Sequence, residues 1–307
     1  MIVVSGEALM DVFAAGETAA GVMLDARIGG SPLNVAIGLA RLGQPVAFFG
    51  AISSGFLGDR LLGALHAEGI DTRCTVRLDA PTTLGLIGID VRGVPDYAFY
   101  GHGAADRQLP LAALAQVPEA SAYQFGSYAM VVEPVATTQR ALVERECRRS
   151  VIAYDPNVRL NVEPDLQRWR EALSWMLPRT HLLKVSDEDL ELLFPGVDAT
   201  VLAGQWLDAG VALVVVTRGA RGASAWAAAG PLASDPVPAR VIDTVGAGDT
   251  FQAAMLAALA ERSLLRPASL RTLPRAVLHE VLQFAARAAA ITCSRRGADL
   301  PRRSELV

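Results

Sequence analysis

One short stretch, residues 243–251, reads Asp-Thr-Val-Gly-Ala-Gly-Asp-Thr-Phe and runs directly into the apolar segment 252–259. Its two glycines, Gly246 and Gly248, allow a tight backbone turn, and the alanine-rich segment behind them has the composition of a buried helix. The stretch therefore predicts a loop that enters a helix N-terminus. Free N–H groups and the positive end of the helix dipole at such a junction bind anions, phosphate above all, without a basic side chain.

Asp249 is expected in the first turn of that helix. A carboxylate beside a bound phosphate is repulsive if its role is binding alone, so we interpret Asp249 as a base directed at a hydroxyl that attacks phosphorus. An ordinary loop followed by an aspartate at a helix start would explain the same residues without any chemistry. The rest of the chain decides between these two interpretations.

The composition is that of a compact, single-domain protein. Of its 307 residues, 51% are hydrophobic and 20% are charged, and the net charge is -4, which gives no footprint for nucleic acid or an anionic membrane. No run of about 20 apolar residues predicts a membrane span, and no basic and apolar leader precedes the first strand. Cys74, Cys147 and Cys293 have neither disulfide nor zinc spacing, which favours a reducing cytoplasm.

Strand and helix patterns alternate along most of the chain. Short β-branched runs predict strands at 2–5, 46–52, 123–125, 151–154, 182–185 and 212–217, and helical patterns cover 31–42, 56–68, 133–149, 164–176, 248–261 and 274–295. Residues 82–90 and 97–100 predict instead two consecutive strands joined by Arg92 and Gly93, hence a small separate sheet. The alternation predicts an open, mostly parallel α/β sheet that binds ligands at the carboxyl ends of its strands.

Two groups of residues near the N-terminus lie where such a sheet binds substrate. Gly29 and Gly30 precede a helix start, where glycines let a ligand approach the backbone, and Asn34 offers an amide donor and acceptor to a sugar hydroxyl. Asp11 follows the first strand and can accept two hydroxyl hydrogen bonds. A helix cap and a solvated turn aspartate are the alternatives that need no ligand.

Further polar residues and glycines follow two later strands. Asn157 and Arg159 come after the strand at 151–154, and a guanidinium there suits a phosphate or a substrate carboxylate as well as a structural ion pair. Thr217, Gly219 and Gly222 end another strand, as a nucleotide groove requires. A hairpin turn explains the same pattern.

Several common catalytic patterns are absent from the sequence. Lys184 is the only lysine and follows Leu183, which excludes a Walker loop. The stretches 101–106 and 246–251 lack the third glycine of a dinucleotide fingerprint, which disfavours a nicotinamide enzyme. There is no Gly-x-Ser-x-Gly elbow, and the four histidines show no metal spacing.

In this order the motifs resemble the PfkB family of ribokinase-like sugar kinases over essentially the whole chain. Residues 243–249 match the family's C-terminal signature, and residues 29–36 match the core of its N-terminal one. The resemblance implies one domain over residues 1–307, with a three-layer α/β/α ribokinase-like fold, a doubly wound and mostly parallel sheet, and a small β-strand lid from segments 12–28 and 82–103. It further implies ATP, Mg²⁺, a small-molecule sugar acceptor and a homodimer formed through the lid strands.

The same resemblance assigns roles to individual residues. Asp249 becomes the catalytic base, and the backbone of Gly246, Ala247 and Gly248 becomes the anion hole. The sugar would be bound by Asp11, Gly29, Gly30, Asn34, Phe99, Asn157 and Arg159. The nucleotide would be bound by Lys184, Ser186, Thr217, Gly219, Gly222 and Gly297, and the loop at Asp243 and Val245 resembles the monovalent-cation (K⁺) site that some members use.

The sequence departs from the family in two places and narrows the substrate in a third. Ser186 and Asp189 replace the usual Asn and Glu near magnesium, so we interpret Asp189 as acting on Mg²⁺ through water; residues 53–55 lack the acid of a family Gly-x-x-Asp. Relatives that phosphorylate 2-keto-3-deoxygluconate carry Arg two positions after the lid aromatic, where Gly101 stands here. This favours a neutral hexose, fructose first, and leaves open a ketodeoxygluconate kinase, a ribokinase, a nucleoside kinase, or a sugar- or nucleotide-binding protein without catalysis.

Overall fold

The computed structural model describes residues 1–89 and 95–306. The strands in chain order are β1 (Ile2–Ser5), β2 (Leu9–Thr18), β3 (Gly21–Gly29), β4 (Val46–Phe49), β5 (Ala51–Ser53), β6 (Val76–Leu78), β7 (Leu84–Ile89), β8 (Pro95–Tyr100), β9 (Ala122–Gly126), β10 (Val151–Asp155), β11 (Leu182–Ser186), β12 (Leu213–Thr217), β13 (Ala223–Ala227) and β14 (Gly230–Ser234). The α-helices are α1 (Ser31–Arg41), α2 (Phe56–Ala67), α3 (Val135–Glu146), α4 (Leu166–Met176), α5 (Asp187–Leu193), α6 (Ala199–Asp208), α7 (Ala247–Glu261), α8 (Pro267–Arg271) and α9 (Arg275–Cys293).

A large sheet of eight strands has the order β14-β13-β12-β11-β10-β9-β1-β4. Six neighbouring strands of this sheet, β4, β1, β9, β10, β11 and β12, are parallel. β13 and β14 are added antiparallel at one edge. From β1 the chain goes to β4 on one side and later to β9 on the other, so the strand order reverses between β1 and β9. The carboxyl ends of β1 and β9 therefore form the crevice where doubly wound sheets bind ligands.

Helices cover both faces of the large sheet. Alternate residues of a strand enter opposite layers: Leu213 and Val215 pack with α1, α2 and α7–α9, whereas Val214 and Val216 pack with α3–α6. Both faces of each parallel strand are thus apolar, as a sheet covered on both sides requires. The predicted three-layer α/β/α architecture is confirmed.

Four further strands form what we call the small sheet, with the order β3-β2-β7-β8. β2 and β3 form one long antiparallel hairpin, β7 runs parallel to β2, and β8 pairs with β7. The separate small sheet expected from residues 82–100 is present, but the predicted connection at Arg92 and Gly93 lies outside the described residues. We found no strand pattern in β2 and β3 from the sequence, because Ala14, Ala15 and Gly16 carry little β propensity.

The single strand expected at 46–52 is wrong. The strand of the large sheet ends before Gly50. The residues after Gly50 form β5, which pairs with β6 outside the large sheet. A Cβ at position 50 would lie 2.5 Å from the carbonyl oxygen of Gly6, and the Gly50 carbonyl accepts the N–H of Val76. Close approach of two backbones thus ends the strand where the hydrophobic pattern continues.

No helix within the described ranges is both long and apolar enough to cross a membrane. Cys74, Cys147 and Cys293 are all free thiols.

Candidate active site

The glycine-rich stretch forms the predicted junction between a loop and a helix. α7 begins at Ala247, directly after Gly246, whose φ of 77° is left-handed. A Cβ at position 246 would also lie 2.6 Å from the Cβ of Ala298, so both the backbone conformation and the available space require glycine. The N–H of Ala247 donates to the Thr244 carbonyl, whereas the N–H of Gly248 donates to no other described residue. The helix therefore starts with a donor that is available to an anion.

Asp249 lies in the first turn of α7 and is 7% exposed. Its two carboxylate oxygens are held separately: Oδ1 accepts a hydrogen bond of 2.6 Å from the Ser31 hydroxyl, and Oδ2 accepts one of 2.8 Å from Asn34 Nδ2. Asn157 Nδ2 donates to Ser31 Oγ at 2.6 Å and lies 3.5 Å from Asp249 Oδ1. Residues from α1, α7 and the segment after β10 thus fix the orientation of one carboxylate.

Two non-glycine residues at the carboxyl edge of the large sheet have left-handed backbones. Ser127 follows β9 with φ of 56°, and Asn157 follows β10 with φ of 42°. Such conformations cost free energy and persist where the surroundings impose them, often at functional sites. The strained conformation of Asn157 directs its amide at Ser31 and Asp249.

Asp11 lies on β2 in a space that two glycines leave open. A Cβ on Gly29 would lie 2.1 Å from Asp11 Oδ2, and a Cβ on Gly85 would lie 3.0 Å from Asp11 Oδ1. Burial raises the pKa of the Asp11 carboxyl to about 6, with the positive charge of Arg159 acting against this and the negative charge of Asp249 adding to it. Asp11, Arg159 and Asp249 therefore face one common region.

Three other residues predicted for the sugar line the same region. The Phe99 ring edge lies 3.2 Å from a Cβ placed on Gly85, beside Asp11. Gly30 has φ of 107°, and a Cβ there would lie 2.9 Å from the Glu7 carbonyl oxygen. Arg159 is exposed and donates to the Val158 carbonyl at 2.9 Å, and its positive charge acts on Asp11 and Glu7.

Glu7 is a buried carboxyl group that sequence analysis did not assign. It is 1% exposed, its Oε2 has no hydrogen-bond partner, and burial raises its pKa to about 8. The Ser127 hydroxyl and the charge of Arg159 lower this pKa, and the charge of Asp106 raises it. The signal in the sequence was an acid two residues after the first buried strand, at the point where the chain leaves the large sheet for the small one.

Lys184, which the resemblance assigns to the nucleotide, lies on β11 in a buried ion pair. The ammonium is 3% exposed and donates to Asp155 Oδ2 at 2.7 Å, so it is not free at the surface for a nucleotide. A Cβ on Gly248 would lie 3.0 Å from Lys184 Nζ, which places the lysine directly behind the start of α7. Burial raises the pKa of Asp155 to about 6, although the charge of Lys184 lowers it.

Asp189 connects two strand ends. Its Oδ1 accepts the N–H of Val158 at 3.0 Å, and its own N–H donates to the Ser186 hydroxyl at 3.0 Å, which caps α5. Within the described part of the chain no three His, Cys, Asp or Glu side chains form a metal cage. An Mg²⁺ ion here would therefore have to take most of its ligands from phosphate oxygens and water.

The predicted cation loop is closed by the carboxylate of Asp243. Its Oδ1 accepts the N–H of Val245 at 3.0 Å, and its Oδ2 accepts the N–H of Gly297 at 2.8 Å. This pair of bonds ties the loop before α7 to the segment after α9. The Asp243 carboxylate therefore holds Gly297 and Val245 close together.

The glycines after β12 form a connection between antiparallel strands. Thr217 stands in register with Ser186 at the same sheet edge, and the segment after it leads into β13. Gly222 has φ of 81°, and a Cβ there would lie 2.5 Å from the Ser234 carbonyl oxygen. Backbone conformation and packing therefore require glycine at position 222 without any ligand. Gly219 faces open space, where a ligand can approach the backbone.

A doubly wound sheet, a helix N-terminus with an available donor and an oriented carboxylate beside it define a class of protein, the α/β enzymes that transfer a phosphoryl group to a hydroxyl. Residues 1–305 match the model of the pfkB family carbohydrate kinases, and the chain belongs to that family. The resemblance drawn from residues 29–36 and 243–249 is thereby confirmed.

Relatives with assigned names agree with this membership. The chain is 36% identical over 266 residues to a fructokinase of Rhizobium leguminosarum bv. trifolii, covering 86% of this chain and 81% of that protein. It is 30% identical over 277 residues to fructokinase-1 of Oryza sativa subsp. japonica, covering 88% and 83%. The crystal structure of a Xylella fastidiosa fructokinase with bound ATP superposes with a TM-score of 0.87 at 26% identity, covering 99% of this chain and 96% of that one.

Proposed function

We propose that the protein is an ATP-dependent fructokinase that transfers the γ-phosphoryl group of ATP to the 6-hydroxyl of fructose. The observation that carries the proposal is the Asp249 carboxylate, which Ser31 and Asn34 hold at the N-terminus of α7. Its neighbours Gly246 and Gly248 provide the backbone that an anion needs. Fructokinases of bacteria and plants among the relatives point to the same reaction.

The proposed reaction needs one proton acceptor and one site for negative charge. The fructose hydroxyl oxygen attacks the γ-phosphorus, its proton passes to Asp249, and the bond from the γ-phosphorus to the bridging oxygen breaks to release ADP. The backbone at Gly246, Ala247 and Gly248 offsets the charge on the transferred group. Because phosphoryl transfer depends mainly on alignment and charge, the fixed orientation of Asp249 is the larger part of its contribution.

The sugar would lie between the large and small sheets. Asp11 would accept hydroxyl hydrogen bonds, Gly29 and Gly30 would bring backbone close, and Phe99 would cover an apolar face of the sugar. The small sheet would act as the lid that keeps water from competing as acceptor. Gly101 itself carries no cationic side chain, but the Arg107 guanidinium lies against its Cβ position. The preference for a neutral sugar over a sugar acid therefore rests on the fructokinases among the relatives.

The nucleotide would extend from the start of α7 along the edge formed by Ser186, Thr217 and Gly219. Mg²⁺ would neutralise the phosphates, with Asp189 acting through water, and K⁺ would bind at the loop of Asp243 and Val245. The free cysteines fit a reducing compartment, and we place the enzyme in the cytoplasm. No partner of the nucleic-acid or membrane kind is expected.

A coupled assay of ADP release with Mg-ATP tests this function. The panel is fructose, ribose, 2-keto-3-deoxygluconate, glucose and adenosine, and fructose is expected to give the highest kcat/KM. Faster turnover of the sugar acid would assign Arg159 to a carboxylate and make the protein a ketodeoxygluconate kinase. If ATP binds but none of the five is phosphorylated, the fructokinase assignment is wrong.

A further inference from the structure

The buried ion pair between Lys184 and Asp155 leaves hydrogen-bonding groups of both residues unsatisfied. Lys184 Nζ donates to Asp155 Oδ2 at 2.7 Å, which is its only hydrogen bond within residues 1–89 and 95–306, although an ammonium has three donors. Asp155 Oδ1 is buried and has no hydrogen-bond partner. A pair that serves folding alone would be expected to satisfy these groups, because buried charges are costly unless fully hydrogen-bonded.

The surroundings of Lys184 are strongly acidic. Burial works to lower the pKa of its ammonium, but the charges of Asp155, Asp189 and Asp249 raise it above its ordinary value. One cation therefore stands among three carboxylates, in a protein with no other lysine. Without it, the charge of these three carboxylates would oppose an incoming triphosphate.

The position of Lys184 connects this charge to the anion hole. Its Nζ lies 3.0 Å from the Cβ position of Gly248, in the first turn of α7, on the side away from solvent. A glycine at 248 is the residue that leaves the ammonium this close to the backbone. At the interior of a protein such a charge is screened far less than at its surface.

We propose that Lys184 is a positioning residue for phosphoryl transfer, which acts from behind Gly248 and makes the start of α7 attractive to the terminal phosphate of ATP. Asp155 holds the ammonium in place and is not its functional target. The inference rests on the proposed function, since it assigns a role within the same site, and it goes beyond direct contact of Lys184 with the nucleotide.

The test separates the charge of Lys184 from its role as partner of Asp155. The variants are Lys184→Met, which keeps the length of the side chain, Lys184→Arg, which keeps the charge, Asp155→Asn, and the double variant Lys184→Met/Asp155→Asn. The double variant leaves neither buried charge alone, so its Tm is expected near that of the wild type, above both neutralised single variants. Isothermal titration with Mg²⁺ plus adenylyl imidodiphosphate, and with AMP, reports the terminal phosphate separately from the base and ribose.

In the double variant we expect affinity for adenylyl imidodiphosphate to fall about 10-fold or more, affinity for AMP to stay within about twofold, and kcat to fall about 100-fold. Lys184→Arg should retain the preference for adenylyl imidodiphosphate over AMP. Recovery of both kcat and this preference in the double variant would overturn the inference, because Lys184 would then only neutralise Asp155. If the double variant does not fold, a loss of the preference in Lys184→Arg overturns it equally. The titrations need no sugar, so they decide the role of Lys184 even if the wild type phosphorylates none of the five acceptors.

Discussion

Asp249 shows how one side chain depends on residues far away in the sequence. Its two oxygens are held by Ser31 and Asn34, which lie more than 200 positions earlier but are adjacent in space. Asn157 adds a third donor, its side-chain amide, from the edge of the large sheet. The carboxylate that we propose as the base is thus oriented before the substrate binds, and orientation is where a carboxylate of low basicity gains most of its effect.

Asp249→Asn should reduce kcat by about 10² or more with the fold intact. The substituted amide can accept from one neighbour but presents donors to the other, so Asn34 or Ser31 also loses its acceptor. The measurement is kcat and the Tm of the variant beside Asp208→Asn, an exposed aspartate at the C-terminal end of α6. Activity within about threefold of the wild type would show that Asp249 is not the base.

Glu7→Gln should change how stability depends on pH. The folded-state pKa of about 8 exceeds the ordinary value of 4.5, so the folded protein binds more protons between these values. The free energy of unfolding should therefore fall with rising pH across that window, by up to about 1.4 kcal/mol per pH unit from this group. The amide cannot titrate, so the variant should become the more stable protein towards pH 8.

Urea unfolding at pH 5, 6, 7 and 8 measures this difference. Glu119→Gln is the matched control, because the Glu119 side chain is 90% exposed and should follow the wild type at every pH. Parallel curves for the wild type and Glu7→Gln would mean that Glu7 does not carry a raised pKa in the folded protein.

Among single residues, the sequence predicted roles for those that lie within one short motif. It did not predict roles for Ser31 and Glu7, which depend on contacts with distant parts of the chain. The roles of Gly246 and Asp249 follow from a loop and helix that are contiguous in the chain. Ser31 was missed because a serine at a helix start is typical of a helix cap. No neighbouring residue in the sequence indicates that its hydroxyl contacts α7. Glu7 was missed because its burial depends on elements formed by distant parts of the chain.

Among the elements, the turn from β3 into α1 matters most for the proposed sugar pocket, and Gly29→Ala tests this placement. The added Cβ would lie 2.1 Å from Asp11 Oδ2, so the carboxylate must move. We expect the KM for sugar to rise about 10-fold or more and the KM for ATP to stay within about twofold, because a misplaced binding group affects the ligand it touches.

Gly63→Ala is the control for Gly29→Ala. Gly63 lies in α2 and has open space around its Cβ position, so alanine there should leave both KM values unchanged and raise stability slightly through helix propensity. Steady-state kinetics of the two variants give the comparison. Equal changes in both KM values for Gly29→Ala would argue against a placement of Asp11 at the sugar.

Helices and buried parallel strands were predicted well because their periodicity is local. The expected helix at 31–42 and the strand at 151–154 differ from α1 and β10 by one residue. For the long β2–β3 hairpin only the family resemblance indicated lid strands, at 12–28. Its own residue pattern did not, because its outer half is rich in alanine and glycine and strand pairing rather than propensity forms it. The break at Gly50 depends on Gly6 across the sheet, which no window of sequence contains.

For the whole molecule, the surface of the small sheet is the feature that the single chain leaves unexplained. The outer half of the β2–β3 hairpin projects into solvent and exposes Val22, Met23 and Leu24 at 61%, 52% and 56%. An isolated hairpin is marginally stable in water, and large exposed apolar side chains in one place mark an interaction surface. A second copy of the chain is the partner that the family resemblance implied.

We therefore expect a homodimer through the small sheet, with a mass twice the 32.4 kDa of one chain. Leu24→Asp should give a monomer in sedimentation equilibrium at micromolar concentration, because a charge at the centre of an apolar interface is left unpaired. The monomer should also show a higher KM for sugar, since the hairpin continues into the strands that carry Asp11 and Gly29 and loses its support. Val201→Asp, on α6 with 52% exposure, is the control and should stay dimeric. A wild type that sediments as a monomer at tens of micromolar would exclude the dimer, and a dimer that survives Leu24→Asp would place the interface elsewhere.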